Sequence, residues 1–112
     1  MVGLDRRAGL ARQPLLGVDL QAAPGALVPR GETELLGRAA IEMLATTLEE
    51  VPQRRIIDMC CGAGNLACAL AVYLPDAQVW ASDLTDDCVR LASANVDHLR
   101  LDQRVTICHS KP

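Results

Sequence analysis

Aromatic residues are almost absent from this sequence, which has one Trp, one Tyr and no Phe among its 112 residues. Half of the residues are nevertheless hydrophobic, so the core has to be built from Leu, Val, Ile and Ala. Side chains of this kind suit closely packed helices better than an aromatic-rich β-sandwich. The length allows one small domain.

Lysine is scarce as well: Lys111 is the single one, and the other positive charges are Arg residues scattered along the chain. The formal net charge is −3, whereas proteins that bind nucleic acids concentrate Lys and Arg in basic patches. We therefore expect no nucleic-acid partner.

Long apolar runs are also missing, since none approaches the roughly 20 residues that a membrane-spanning helix needs. Residues 1–12, MVGLDRRAGLAR, lack the continuous apolar stretch of a secretory signal. These features predict no membrane partner, and the Arg-rich start leaves an organelle transit peptide open.

The cysteines, at positions 60, 61, 68, 88 and 108, form no CxxC pair and no Cys/His cluster with zinc spacing. The pattern predicts no metal site. Most of them lie in apolar runs, where a free thiol packs like a small hydrophobe. Reduced cysteines of this kind predict a cytoplasmic protein. A reactive thiol at Cys60 or Cys61, assisted by the start of a helix, is the alternative.

What the sequence does have is an alternation of helical and extended patterns. Residues 1–14 show no clear periodicity and are interpreted as a loose lead-in to a domain over 15–112. A β-hairpin or extended arm is predicted within 17–29, with a turn at Pro24-Gly25. Periodicity and turn signals then predict helices over 32–50, 65–74 and 85–99, and strands over 55–61, 78–83 and 104–108. The alternation implies right-handed crossovers and a parallel sheet, so we predict an α/β, Rossmann-like half-fold with three parallel strands.

Two threonines are predicted to cap helices, namely Thr33 at the first and Thr85 at the third. The helical spacing also predicts which side chains face the core. In the first helix these are Leu36, Ala40, Met43, Leu44, Thr47 and Val51, and in the third Val89, Ala92, Val96 and Leu99.

A glycine corner separates the first strand of the sheet from its helix. The string GAGNLA, residues 62–67, fits the pattern G-x-G-x-x-G/A and places backbone N–H groups where a ligand can approach. Asp83 ends the next strand, 19 residues after Gly64. A carboxylate there can accept both hydroxyls of a ribose; the alternative is a turn residue or helix cap.

Asp58 lies in an otherwise apolar strand, four residues before Gly62. A carboxylate at such a position is costly to bury without hydrogen-bond donors. An acid leading into G-x-G suits a ligand with a cationic end, such as the ammonium and sulfonium of S-adenosylmethionine. Backbone N–H groups are an alternative partner, and a nicotinamide dinucleotide enzyme is an alternative function.

These strings resemble a known family. DMCCGAGN (58–65) resembles motif I of class I S-adenosylmethionine-dependent methyltransferases, and VWASD (79–83) resembles their second, acidic motif. GVDLQAAPGALVPRGETELL (17–36) is similar to the segment that precedes the catalytic domain in the release-factor glutamine methyltransferase family, where a PRPETE-like string opens the first helix. LASANVDHLRLDQRV (91–105) is similar to the same family's third helix and following loop.

The resemblance implies S-adenosylmethionine as the cofactor and a role for each matched residue. Asp58, Gly62 and Gly64 would hold its methionine part and shape the turn, while Cys60 replaces the family's first glycine and narrows the room beside the ligand. Asp83 would bind the ribose and Leu84 would lie against the adenine. Glu32 and Thr33 would stand at the rim of the pocket.

The sequence also departs from the family. Lys111 stands where an acid after the third strand is expected, and the catalytic Asn-Pro-Pro-Tyr-like string and the upstream helical domain have no counterpart. We therefore expect a truncated, donor-binding half of an N-methyltransferase whose acceptor is a protein glutamine or a small molecule; its catalytic residues are not identified. The alternative is a non-catalytic remnant that pairs with a partner, or with itself as a homodimer, through an open sheet edge.

Overall fold

The computed structural model of the chain describes residues 3–5, 10–22, 31–47 and 54–110. An antiparallel sheet comes first, formed by β1 (Gly3–Asp5), β2 (Leu10–Leu15) and β3 (Val18–Ala22). A second sheet, all parallel, is formed by β4 (Arg55–Met59), β5 (Gln78–Asp83) and β6 (Val105–His109). The helices are α1 (Gly31–Thr47), α2 (Asn65–Tyr73) and α3 (Asp86–His98).

The parallel sheet has the order β4-β5-β6, with α2 and α3 as the crossovers between its strands. The predicted α/β half-fold with three parallel strands is therefore confirmed. The bounds of β5 are those predicted, whereas β4 ends at Met59 instead of residue 61. The reason is local, because Cys60 leaves the extended region and adopts a φ of 57°.

A hairpin is present, but it lies earlier in the sequence than the one predicted around Pro24-Gly25. β2 and β3 pair antiparallel around a turn at Leu16-Gly17, where φ is 52° and 79°. Positive φ at both central residues is the geometry that matches the twist of a two-residue hairpin. Pro24-Gly25, the predicted turn, lies outside the described residues. The interpretation of 1–14 as a loose lead-in is wrong for the described strand residues within it, and the domain boundary at residue 15 stays a prediction.

The face through which the first helix packs is rotated from the predicted one: Ala40 and Leu44 pack against the core as predicted, Leu36 and Met43 do not, and Val51 lies outside the described residues. Leu36 and Met43 are 59% and 66% exposed, and the side that faces the core is formed by Gly37, Ala40, Ile41, Leu44 and Ala45. A Cβ added at Gly37 would lie 2.8 Å from Leu16 Cδ1 and 3.3 Å from Leu66 Cδ1. The helix thus approaches the hairpin turn and α2 along its glycine. Because α1 begins at Gly31, Thr33 lies in its first turn and does not cap it.

The core is centred on α2, whose residues 67–71 are all buried. Three of those five are Ala, which lets α1, α3, the hairpin and β5 all pack against the same short helix. In α3, Thr85 is the N-cap as predicted, since its hydroxyl accepts a hydrogen bond from the N–H of Cys88 at 3.2 Å. Ala92 and Val96 are buried as predicted, and Val89 and Leu99 only partly so.

Ile57 and Met59 of β4 are each 74% exposed, on the sheet face opposite Ile56 and Asp58. Within the described part of the chain, β4 pairs with β5 alone and its other edge has no partner strand. Among the helices of these described residues, none combines the length and the hydrophobicity that crossing a membrane requires.

Arg104 closes the carboxyl end of α2, a helix with no basic residue in its own last turn. Its guanidinium donates to the carbonyl oxygens of Ala71 at 2.8 Å and Leu74 at 3.2 Å. We expect Arg104→Ala to lower the free energy of unfolding by about 1–3 kcal/mol, because charge-assisted bonds to helix-end carbonyls are lost. Urea denaturation measures this. Arg90→Ala, which removes an exposed surface pair, should change stability by about 0.5 kcal/mol or less, and equal losses in the two variants would contradict the prediction.

Candidate functional site

The glycine corner is built by three residues with positive φ between the end of β4 and the start of α2. Cys60, Gly62 and Gly64 have φ values of 57°, 56° and 76°. The turn is held by two backbone bonds, from Cys61 N–H to the Ser82 carbonyl at 2.8 Å and from Gly64 N–H to the Cys61 carbonyl at 2.9 Å. The first of these fixes the corner above the carboxyl end of β5. Ligands in open α/β sheets bind at strand ends of this kind.

The two glycines of the corner have different roles. A Cβ at Gly64 would lie 3.1 Å from the Cβ and 3.3 Å from the Cα of Ala92, so α2 approaches α3 along this glycine. A Cβ at Gly62 would meet no described atom within 4 Å. Gly64 is therefore required by packing, and Gly62 leaves open space at the corner.

Asp83, at the end of β5, is joined to the corner directly. One of its carboxylate oxygens accepts from the N–H of Gly62 at 3.0 Å, and the other accepts from the N–H of Thr85 at 3.1 Å. Burial opposes the charged form, but these bonds outweigh it and hold the pKa of the carboxyl below its usual value. Asp83 is therefore both a turn residue and a charged group at the corner. It is not the helix cap that the sequence left open as an alternative, because Thr85 caps α3.

Asp58 and Asn65 each bring a buried, unpaired acceptor oxygen to the corner. Within the described residues, Asp58 Oδ2 and Asn65 Oδ1 have no hydrogen-bond partner. Burial raises the pKa of Asp58, and a hydrogen bond from the N–H of Ala67 only partly opposes this. Asn65 is 7% exposed as the first residue of α2. Sequence reasoning missed it; the available signal was a single polar residue at the start of an otherwise apolar helix.

The two buried thiols beside the corner, Cys61 and Cys68, are poorly suited to act as nucleophiles. Cys61 is buried, and burial raises its pKa to about 12, with the nearby carboxylates adding to the effect. The same causes raise the pKa of Cys68 to about 12. A thiol needs a lowered pKa to be reactive at neutral pH, so the alternative of a reactive Cys61 is wrong. Cys60 is exposed at the rim of the corner.

The remaining predicted site residues lie on other parts of the chain: Leu84 follows β5, and Glu32 and Thr33 belong to α1. Leu84 directly follows Asp83 and is 59% exposed, and its carbonyl lies 2.8 Å from His109 Nε2 at the end of β6. Glu32 and Thr33 lie in the first turn of α1, and no hydrogen bond among the described residues joins their side chains to the corner. Lys111 lies outside the described residues. His109 was not singled out from the sequence, because only its position at the strand end reveals it.

The glycines allow a matched test of the corner. We expect Gly62→Ala to cost about 1–2 kcal/mol of stability, from its positive φ alone. Gly64→Ala adds the collision with Ala92 and should cost about 3 kcal/mol or more. Urea unfolding of both variants measures the difference, and a larger loss for Gly62→Ala would contradict the assignment of Gly64 to packing.

The chain is similar in sequence to a known family and to several of its characterised relatives. A family model, the methyltransferase small domain, matches residues 38–111. The release factor glutamine methyltransferase of Clostridium acetobutylicum is 33% identical over 92 residues, which are 82% of this chain and 31% of that protein. The one from Rhodopirellula baltica is 36% identical over 93 residues, 83% of this chain and 31% of that protein. The chain thus spans about a third of the length of these curated relatives.

Solved structures agree on the fold. The N-terminal domain of human METTL16, determined in complex with SAH, superposes with a TM-score of 0.67 at 22% identity. The match covers 84% of this chain and 37% of that one. The architecture is therefore that of a Rossmann-like methyltransferase half-fold, as the strings around Asp58 and Asp83 predict. With a family model matched over more than half of its residues, the chain belongs to the methyltransferase small domain family.

Proposed function

We propose that this chain is an S-adenosylmethionine-dependent methyltransferase domain that holds the methyl donor at the glycine corner. The observation that carries the proposal is the pair of buried acceptor oxygens, Asp58 Oδ2 and Asn65 Oδ1, left without partners beside the open space at Gly62. Buried polar atoms are rarely left unpaired in folded proteins. A ligand with a cationic end supplies what both oxygens lack.

Asp58 selects the charge of the ligand. Its buried carboxyl is costly to ionise in the free protein, and a nearby cation stabilises the charged form. The ammonium of S-adenosylmethionine matches this requirement. Asn65 contributes a neutral carbonyl oxygen to the same cation, and Gly62 leaves room because it has no side chain.

Asp83 fits the ribose. A carboxylate has about four lone-pair positions. The N–H groups of Gly62 and Thr85 occupy two of them, and a ligand hydroxyl would replace the weaker contact from the Thr85 hydroxyl at 3.4 Å. Its lowered pKa keeps it charged at neutral pH. Leu84, exposed beside it, offers an apolar surface to the adenine, and Cys60, Glu32 and Thr33 form the rim.

The bound donor supplies a sulfonium methyl group for transfer, and the residues of this chain bind and orient it. Orientation of donor and acceptor accounts for much of the rate in reactions of this type. The names of the relatives support the side-chain nitrogen of a protein glutamine as the acceptor. The free cysteines support a cytoplasmic location, and the net charge of −3 supports a protein acceptor over a nucleic acid.

Titration calorimetry with S-adenosylhomocysteine tests the proposal. We expect the wild-type chain to bind, and Asp58→Asn and Asp83→Asn to bind about tenfold more weakly or worse, because each loses a charge-assisted contact. Asp87→Asn, an exposed carboxylate on α3, is the control and should bind like the wild type. Absence of heat at millimolar ligand, with a folded protein verified by circular dichroism, would overturn the proposal.

The two site carboxylates should have opposite effects on the stability of the free protein. The raised pKa of Asp58 means that its ionisation in the folded state lowers stability as pH rises, so Asp58→Asn should raise the urea midpoint near neutral pH. The lowered pKa of Asp83 means that its charged form stabilises the fold, so Asp83→Asn should lower that midpoint. The difference for Asp58→Asn should shrink below about pH 4, where that carboxyl is protonated in both the folded and the unfolded state. The difference for Asp83→Asn should persist to lower pH and disappear only as pH falls through the lowered pKa of the folded state. Midpoints that shift in the same direction would contradict this assignment.

A second function is favoured by the edge of β4 that has no partner strand among the described residues. Exposed strand edges pair readily with other chains, and Ile57 and Met59 add apolar surface beside this one. We propose that two copies of the chain associate through this edge.

Sedimentation over a range of concentrations should detect this association. Ile57→Lys should shift the chain toward the monomer, because it places a charge in the apolar contact. Val72→Lys, on the exposed side of α2, is the matched control and should have no effect. A wild-type chain that sediments as a monomer at all concentrations would rule the association out.

A further inference from the structure

Asn95 is a fully buried polar residue of α3 whose amide is bonded on both sides. It is 0% exposed. Its Nδ2 donates to the carbonyl of Ala63 at 2.8 Å and to the carbonyl of Gln21 at 3.1 Å, while its Oδ1 accepts from the N–H of Gln21 at 2.6 Å. A buried amide satisfied in this way fixes the groups around it, because breaking any one bond leaves a polar atom unpaired.

The two partners of Asn95 belong to different parts of the molecule. Ala63 is the middle residue of Gly62-Ala63-Gly64, the turn at the corner. Gln21 lies 74 residues from Asn95 in sequence, on the edge strand β3 of the antiparallel sheet. The amide of Asn95 pairs with both backbone groups of Gln21, as the peptide group of an adjacent strand would. One side chain therefore joins the corner to the hairpin.

The bond from Asn95 restrains a part of the corner that the other bonds of the turn leave free. Glycines at 62 and 64 have access to many backbone conformations. The other bonds of the turn hold the N–H groups of Gly62 and Gly64, and the bond from Asn95 holds the carbonyl of Ala63 between them. Fixing that carbonyl fixes the plane of the peptide that joins Ala63 to Gly64.

We propose that Asn95 is the positioning residue of the corner, and that through it the hairpin strand β3 and the donor-binding turn are energetically coupled. The part of this coupling that concerns donor binding rests on the proposed function. Because coupling between two sites is reciprocal, donor binding at the turn should protect the N–H of Gln21 from exchange. Loss of the contact to β3 should in turn weaken donor binding, although β3 supplies no residue to the proposed donor contacts.

The first experiment needs no donor. Amide hydrogen exchange is compared in the wild type, Asn95→Leu, which keeps the approximate size but makes no hydrogen bond, and Val96→Ala. The last is a matched control, because Val96 is also buried in α3 at 4% exposure. We expect Asn95→Leu to speed exchange at Gln21, Gly62 and Gly64 by about tenfold or more relative to Val96→Ala. Equal exchange in the two variants at matched stability would overturn the positioning role, whatever the donor does.

Asn95→Asp separates hydrogen bonding from simple packing. The carboxylate of this variant still accepts from the N–H of Gln21. Its second oxygen, however, replaces the NH2 group that donates to the carbonyls of Ala63 and Gln21, so the corner should loosen at neutral pH. Protonation restores a donor to the Ala63 carbonyl, and the excess exchange should fall as pH is lowered. The elements that Asn95 joins also carry the ionisable residues Asp19 on β3 and Asp97 and His98 on α3, and the corner carries Asp58 and Asp83. Rates are therefore compared as ratios to the wild type at each pH. A pH-independent ratio would contradict the hydrogen-bonding role.

The final measurement is donor affinity by calorimetry with S-adenosylhomocysteine, at a temperature where all variants are folded. Asn95→Leu should bind about tenfold more weakly, Val96→Ala should bind like the wild type, and the ligand should slow exchange at Gln21 in the wild type but not in Asn95→Leu. If the wild type itself does not bind, the proposed function fails, while the exchange result without ligand still decides the role of Asn95. If the wild type binds and Asn95→Leu binds equally well, the coupling is refuted.

Discussion

The contact on which the candidate site depends most is the bond between the Asp83 carboxylate and the N–H of Gly62. It joins the end of one parallel strand to the turn that follows its neighbour, and therefore sets the distance between the two halves of the proposed donor pocket. The carboxylate can do this because backbone N–H donors keep it charged. With Asn95 holding Ala63 from the opposite side, the corner is restrained by two side chains from two different elements.

The corner also illustrates how stability is distributed at a binding site. The buried carboxyl of Asp58 is only partly compensated in the free protein, whereas the core around α2 consists mainly of apolar side chains, and the amide of its buried Asn95 is hydrogen-bonded. A local loss of folding stability of this kind persists only where the surrounding structure is stable enough to tolerate it. The tight, Ala-rich core beneath the corner provides that stability.

Local signals were enough to predict the parallel sheet, the bounds of β5 and the Thr85 cap, because each depends on neighbours in the sequence. The face of α1 could not be predicted, since Gly37 contacts Leu16 and Leu66 only after the hairpin and α2 have packed. The hairpin turn was missed because Leu16 is not a residue that usually adopts positive φ. For the site, Asp83 was predicted from its place at the end of a strand, and Asp58 from being an acid in an otherwise apolar strand that leads into the glycine corner. Asn65 and Asn95 were missed because helical periodicity counts a polar residue as solvent-facing.

The close approach of Gly64 to Ala92 has a consequence for how this chain can diverge. The two residues share one small volume, so a larger side chain at position 92 is as poorly tolerated as any side chain at position 64. Neither position can vary independently of the other, and their combined size is fixed by the gap between α2 and α3. A variant library built on this scaffold would therefore have to treat the pair as a single site.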